Sequence, residues 1–279
     1  MKKSNKKNNI RRDEHIQKGL LNENTPFAIV EAYKTLRSNV TFSLAAIDQS
    51  VPHRNAMVVT SSVPNEGKSI NSANLAFSFG QTGGRVLLID ADMRKPTQHL
   101  MFEQDNTESG LSTILLKLDT LASTIHHQVR PGLDLITSGP IPPNPSELLG
   151  SQAMIKLLDI VCRVYDYVVI DTPPVTVVTD ALTFSHSTAG IILNIRQDFC
   201  LHKDLSHAIN CIKMSDTSIL GTMIADTTSG GGGSGYRYRY RYRYRYNSAY
   251  YRSNRPSKYG YYSYYSDYSN KDKGKKDKK

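Results

Sequence analysis

The sequence contains no tryptophan and only three cysteines among its 279 residues. Cys162, Cys200 and Cys211 are widely spaced and form no C-x-x-C pair, which argues against a disulfide frame or a zinc site and points to a reducing compartment. No apolar run approaches the roughly 20 residues needed to cross a bilayer, and the basic N-terminus lacks the apolar segment of a signal peptide. The expected location is therefore the cytoplasm, with any membrane association arising through charge or a partner. Aliphatic residues are almost missing after Gly235, which excludes a core there.

Charge is distributed unevenly. From Gly230 onward there are fourteen Lys/Arg against three Asp/Glu, and residues 1 to 20 hold seven basic against two acidic. Those ends carry +11 and +5, so a total of +10 leaves residues 21 to 229 at −6. A mildly acidic body lies between two basic ends. Residues 1–24 read as a basic flexible arm, 25–228 as the folded domain, 229–235 as a Gly/Ser hinge and 236–279 as a disordered tyrosine-rich tail.

Within the body, Ser62-Val63-Pro64-Asn65-Glu66-Gly67-Lys68-Ser69 lies between the apolar run Ala56 to Thr60 and a helix beginning near Lys68. A loop so placed turns its backbone N–H groups around phosphate oxygens, with Lys68 supplying a point charge and Ser69 a hydroxyl for Mg²⁺. The contacting set is Ser62, Pro64, Asn65, Glu66, Gly67, Lys68, Ser69 and Ile70. Ser62 departs from G-x-x-x-x-G-K-[ST] at its first position. Asn65 tolerates positive φ better than other non-glycine residues, so the loop should keep its shape there.

Two further apolar runs end in carboxylates. Val86-Leu-Leu-Ile-Asp90-Ala-Asp92-Met-Arg94 and Tyr167-Val-Val-Ile170-Asp171 read as buried parallel strands. Their C-terminal ends deliver Asp90, Asp92 and Asp171 where open α/β sheets bind ligands. Each aspartate alone could be a cap or a turn former. Three at strand ends beside a phosphate loop point to magnesium and nucleotide chemistry.

Strands are also expected at Leu133–Thr137, Gly190–Asn194 and Leu220–Ile224. Helices are expected from Asn24-Thr25-Pro26, with Phe27, Val30, Tyr33, Leu36 and Val40 at helical spacing, at Ser69–Phe79, after Gly110, after Pro145, over Met154–Val164, at Asp180–His186 and at Leu205–Met214. Strand and helix alternate, which predicts an α/β fold: a largely parallel, doubly wound sheet with helices on both faces. In the first helix, Glu31, Lys34 and Arg37 lie along one polar flank. They are open to intrahelical pairing or to contact with a neighbouring subunit.

Fourteen of the seventeen tyrosines lie beyond the hinge: Tyr236, Tyr238, Tyr240, Tyr242, Tyr244, Tyr246, Tyr250, Tyr251, Tyr259, Tyr261, Tyr262, Tyr264, Tyr265 and Tyr268. The first six alternate with arginine. Alternating Arg and Tyr also suits stacking on single-stranded nucleic acid.

Together, the loop, Leu88-Ile89-Asp90-Ala91-Asp92-Met93-Arg94, Val168-Val169-Ile170-Asp171-Thr172-Pro173 and the tyrosine cluster resemble a bacterial tyrosine kinase (BY-kinase) of the capsule and exopolysaccharide type. The resemblance covers roughly residues 25 to 230. It implies a P-loop NTPase fold with ATP and Mg²⁺ as cofactors. Lys68 and the loop amides would hold the β- and γ-phosphates, Ser69 and Asp171 the metal, with Asp92 in its shell. Asp90 would accept the tyrosine proton. It also implies protein tyrosine substrates, autophosphorylation of the tail in trans, and a homo-oligomer built on an E-x-x-R-x-x-R helix. Here Lys34 replaces the middle arginine, and lysine cannot make a forked contact. A separate transmembrane activator is the implied partner, recruiting the chain to the inner face of the membrane. A partition-type ATPase has a related loop, but its signature lysine position is Val63 here. Nucleic acid is not an implied partner.

Overall fold

The computed structural model describes residues 19–225. A seven-stranded sheet forms the centre, in the order β3-β4-β2-β5-β1-β6-β7. The strands are β1 (Ala56–Ser61), β2 (Val86–Asp90), β3 (His126–Arg130), β4 (Leu133–Ile136), β5 (Tyr167–Asp171), β6 (Gly190–Arg196) and β7 (Ile219–Ala225). Every neighbouring pair is parallel except β3 with β4. β1 and β2 are buried at every position, which is why their sequences run apolar without alternation.

The longer helices are α1 (Phe27–Ala45), α2 (Lys68–Gly80), α7 (Gln152–Val164) and α8 (His202–Met214). Four short ones, α3 (Gln98–Met101), α4 (Leu111–Leu115), α5 (Leu121–Thr124) and α6 (Pro145–Leu149), stand among the connections. α7 shows why such a segment becomes a helix. Ser151 caps it by accepting the Met154 N–H at 3.4 Å, and Met154, Leu157, Leu158 and Val161 turn one apolar stripe toward the sheet. They join Val58, Leu87, Ile89, Val168 and Ile170 in the main core. α2 packs against β1, β2 and β5.

Several local expectations are corrected. Asp180–Phe184 is a 3-10 helix rather than an α-helix reaching His186. α8 begins at His202, three residues earlier than the apolar spacing indicated. The antiparallel edge strand β3 reads His-His-Gln-Val-Arg and carries no apolar alternation. It is formed by a tight turn at Gly132, φ 75°, where an added Cβ would lie 2.8 Å from the Gly80 carbonyl oxygen at the end of α2. α1 forms where its spacing placed it, though along it only Val40 is buried, while Phe27 and Phe42 are 79% and 73% exposed.

The arm expected over residues 1–24 ends sooner, because Leu20 and Leu21 are buried. The Leu21 N–H donates to Asn74 Oδ1 at 2.8 Å, and Asn74 Nδ2 returns a bond to the Gly19 carbonyl at 2.9 Å. These bonds tie the segment to α2 through Asn74. The hinge, the tyrosine-rich tail and residues 1 to 18 lie outside the described residues.

Candidate active site

β1 ends at Ser61 and α2 begins at Lys68, so the intervening turn sits at the C-terminal edge of the sheet, between β5 and β6. Two residues in it take left-handed backbone angles, Asn65 at φ 69° and Gly67 at φ 79°. Asparagine at the first accommodates the positive φ, as its residue type allows. At the second, an added Cβ would meet only Asn71 Nδ2, at 3.9 Å, so glycine is needed there for its backbone freedom rather than for space.

Glu66 turns inward and fastens the loop. Its Oε2 accepts the Val63 N–H at 2.9 Å and its Oε1 the Arg196 N–H at 3.1 Å. Burial raises this carboxyl above the ordinary range, against the lowering effect of those amides. Its backbone carbonyl accepts Asn194 Nδ2 at 2.8 Å, while the Ser62 carbonyl accepts the Thr176 hydroxyl. With the loop so held, the amides of Gly67, Lys68, Ser69 and Ile70 meet no acceptor among the described residues. Four free donors opening a 13-residue helix make an anion cradle.

The carboxylates come from two adjacent strands. Asp90 and Asp171 are register partners across β2 and β5. Lys68 Nζ lies 3.0 Å from Asp171 Oδ1, 3.2 Å from Asp92 Oδ2 and 3.0 Å from Ser69 Oγ. Burial alone would push the Lys68 ammonium down, but the Asp171 and Asp92 carboxylates outweigh it and hold the group above its ordinary value. Asp92 is shifted up, by burial first, with Asp171 adding to the rise and Lys68 opposing it. Asp90 is shifted well up by burial and by the charges of Asp171 and Asp92. Its oxygens accept the amides of Asp92 at 3.2 Å, Thr97 at 3.1 Å and Gln98 at 3.0 Å, and it has no exposed surface.

This donor set fits magnesium bound with a phosphate chain. Among the described residues no three His, Cys, Asp or Glu side chains gather as a cation cage. Asp92, Asp171 and Ser69 instead surround one ammonium, supplying two carboxylates and a hydroxyl. Mg²⁺ takes its remaining ligands from waters and phosphate oxygens in sites of this kind.

The predicted set thus converges: Lys68, Ser69, Asp92 and Asp171 meet directly, and Asp90 lies beside them. Ile70 belongs to the first turn of α2. Arg94 turns away, donating from Nε to Asp180 Oδ2 at 2.9 Å and from Nη2 to Asp180 Oδ1 at 3.0 Å. In α1, Glu31 and Lys34 pair within the helix at 2.7 Å, and Arg37 Nη1 donates to the Ser78 carbonyl of α2 at 2.6 Å. Sequence reasoning missed Ser72 and Gln98. Ser72 Oγ donates to Asp171 Oδ1 at 3.2 Å, and Gln98 Nε2 reaches Asp171 Oδ2 at 2.8 Å and the Ser69 carbonyl at 3.0 Å. Ser72, four residues beyond Lys68, shares its helix face and could have been found by that spacing. Nothing in the sequence around Gln98 marks it.

Residues 65–220 match the family model described as AAA domain. Tyrosine-protein kinase YwqD of Bacillus subtilis is 39% identical over 194 residues, covering 70% of this chain and 79% of that protein. The chain belongs to the bacterial tyrosine-protein kinases. The kinase domain of the Escherichia coli tyrosine kinase Etk superposes with a TM-score of 0.65 at 34% identity, covering 74% of this chain and 80% of that one. The chimerical protein CapA2B2 gives the same TM-score at 38% identity, covering 72% of this chain and 85% of that chain. As a tyrosine kinase with a P-loop fold, this chain carries the phosphate loop and the three strand-end aspartates on one sheet edge. Among the described residues, no helix is long and apolar enough to cross a membrane.

Proposed function

We propose that this kinase uses Mg-ATP to phosphorylate the C-terminal tyrosine cluster of a neighbouring copy, and that this governs synthesis or export of a capsular or extracellular polysaccharide. The observation that carries the reading is the meeting of Asp92, Asp171 and Ser69 around the Lys68 ammonium at the opening of α2. Bound Mg-ATP supplies the transferable phosphoryl group and the cation that offsets its charge. The amides of Gly67 to Ile70 would bind the phosphate chain, with Lys68 as the point charge beside it. Ser69, Asp92 and Asp171 hold the metal, with Gln98 and Ser72 orienting Asp171.

Phosphoryl transfer asks the protein mainly for position and charge stabilisation. A tyrosine hydroxyl, with a pKa of about 10, is protonated at neutral pH and needs a nearby acceptor. Asp90 takes that proton. Access to it requires the turn that carries the Thr97 and Gln98 amides to open on one side.

The acidic body attracts the basic tail. The Gly/Ser composition of residues 229–235 and the length of the sequence that follows support a reach to a second site. Each phosphate adds about −1.5 to −2, so modification of six or seven tyrosines cancels the tail's charge and releases it. Copies assemble through the α1 flank of Glu31, Lys34 and Arg37, and a separate membrane activator recruits the cytoplasmic kinase to the inner face of the membrane.

The test is phosphotyrosine mapping by mass spectrometry after the purified chain is incubated with Mg-ATP, with and without the activator. Mixing a Lys68→Met chain that keeps its tyrosines with an active chain whose tail tyrosines are phenylalanine should label the first. Labelling of a pure Lys68→Met sample, or none in the mixture, would sink the proposal.

A further inference from the structure

Four side chains link α1 to the phosphate loop through hydrogen bonds that run one way. The Tyr33 hydroxyl donates to Asn71 Oδ1 at 2.5 Å. Asn71 Nδ2 donates to Asn194 Oδ1 at 2.6 Å, and Asn194 Nδ2 donates to the Glu66 carbonyl at 2.8 Å. Asn74 Nδ2 supports the start of the chain by donating to the Tyr33 hydroxyl at 3.1 Å. Asn71, Asn74 and Asn194 are buried, so each unmade bond would leave an unsatisfied polar group. Bonds aligned head to tail in a low-dielectric interior also reinforce one another.

The last acceptor gives the chain its consequence. A trans peptide is planar, with its carbonyl and N–H pointing in opposite directions. Holding the Glu66 carbonyl against Asn194 of β6 therefore turns the Gly67 N–H to the opposite side, where it meets no acceptor among the described residues. Gly67 at φ 79° is the residue most free to rotate there.

We propose that Tyr33, Asn71 and Asn194 are positioning residues for phosphate binding, fixing the Glu66–Gly67 peptide from α1. None of them touches the phosphate. Tyr33 lies on the same helix as Glu31, Lys34 and Arg37, so a partner that displaces α1 is felt at Gly67 through three hydrogen bonds. By linkage, phosphate binding biases the position of α1 by the same coupling. This inference rests on the phosphate site of the proposed function.

The test is calorimetric titration of the full chain with MgADP, alongside melting of the same samples. Tyr33→Phe removes one hydroxyl from the first link and should weaken MgADP binding about threefold to tenfold, the range set by one net hydrogen bond. Asn194→Asp keeps the size but sets a carboxylate oxygen against the Glu66 carbonyl, and should weaken binding at least as much. In the double variant the losses should multiply to less than their product, because both break one chain. A merely structural role would lower the melting temperature and leave the MgADP affinity of the folded protein unchanged. Wild-type affinity in a folded Tyr33→Phe chain, or full multiplication of the two losses, overturns the inference while leaving the kinase reading in place. A wild-type chain that binds no MgADP would sink both.

Discussion

The Lys68 ammonium lies 3.0 Å from Asp171 Oδ1 and fills the space that Asp171 and Asp92 share. A single cation therefore stands between the two carboxylates that the proposed chemistry assigns to magnesium, offsetting one of their two charges. Lys68→Met removes it and leaves buried charges facing each other, at a cost of about 3–5 kcal/mol. The variant should yield no phosphotyrosine and should melt well below the wild type in metal-free buffer. Millimolar Mg²⁺ without nucleotide should recover more of that loss than it adds to the wild type, since Lys68 no longer competes for the position. Melting curves with and without Mg²⁺ measure the difference, and equal Mg²⁺ effects on both proteins would contradict it.

Gln98 holds Asp171 from the side away from Lys68, through Nε2 at 2.8 Å, and the same nitrogen reaches the Ser69 carbonyl at 3.0 Å. It therefore ties the metal carboxylate to the loop. Gln98→Leu keeps the bulk and removes the donor. Loss of such an orienting partner typically lowers metal affinity or activity about 10- to 100-fold. The expected result is a higher Mg²⁺ requirement in a phosphotyrosine assay at saturating ATP, with a fold retained by circular dichroism. An unchanged Mg²⁺ dependence would show that Gln98 has no part in positioning Asp171.

The sheet and most of the site were legible because they follow from local rules. Apolar runs without alternation gave the central strands, and the aspartates at their ends fell where parallel sheets present ligands. Asn65 and Gly67 both adopt the positive φ that their residue types accommodate. What escaped depends on partners distant in sequence. β3 exists because Gly80 and Gly132 let two backbones approach, and its own residues carry no strand pattern. Gln98 and Asn194 act through side-chain amides whose partners lie 73 and 128 residues away. No periodicity announces such a bond. The apolar spacing of α1 marked a helix, and the helix forms, but periodic residues do not say what covers their face.

At the far edge of the sheet, Asp134 accepts the Tyr165 hydroxyl at 2.6 Å, the Gln128 amide at 2.8 Å and His127 Nδ1 at 2.8 Å. Burial pushes this carboxyl up, but those donors outweigh it and hold it below the ordinary aspartate value of 3.8. A carboxyl lowered by folding contributes stability above its unfolded pKa and loses it as pH falls through the folded one. The loss should therefore fall at and below pH 3.8. Tyr165→Phe should destabilise the protein at neutral pH by about 1.5–3 kcal/mol, as expected for a hydrogen bond to a charged acceptor. It should also flatten the acid dependence. Urea midpoints between neutral and acid pH read both effects, and parallel curves for the two proteins would refute the assignment.

Arg94 closes the turn that carries Asp92 by clasping Asp180, which has no exposed surface, with two bonds of 2.9 and 3.0 Å, and Ser146 with a third of 2.9 Å. The geometry is a fork, which only guanidinium provides. Arg94→Lys keeps the charge beside Asp180 but loses one of the paired bonds, whereas Arg94→Ala leaves a buried carboxylate without its cation. The alanine variant should lose about 3–5 kcal/mol and the lysine variant less. Because Asp92 stands two residues before Arg94, freeing the turn should also reduce phosphotyrosine formation in both. Chemical denaturation ranks the stabilities, and the activity of the folded lysine variant separates the two roles of Arg94. Full activity in that variant would mean that the fork serves stability alone and that the backbone amide of Lys95, which Asp92 Oδ1 accepts at 3.0 Å, suffices to place the carboxylate.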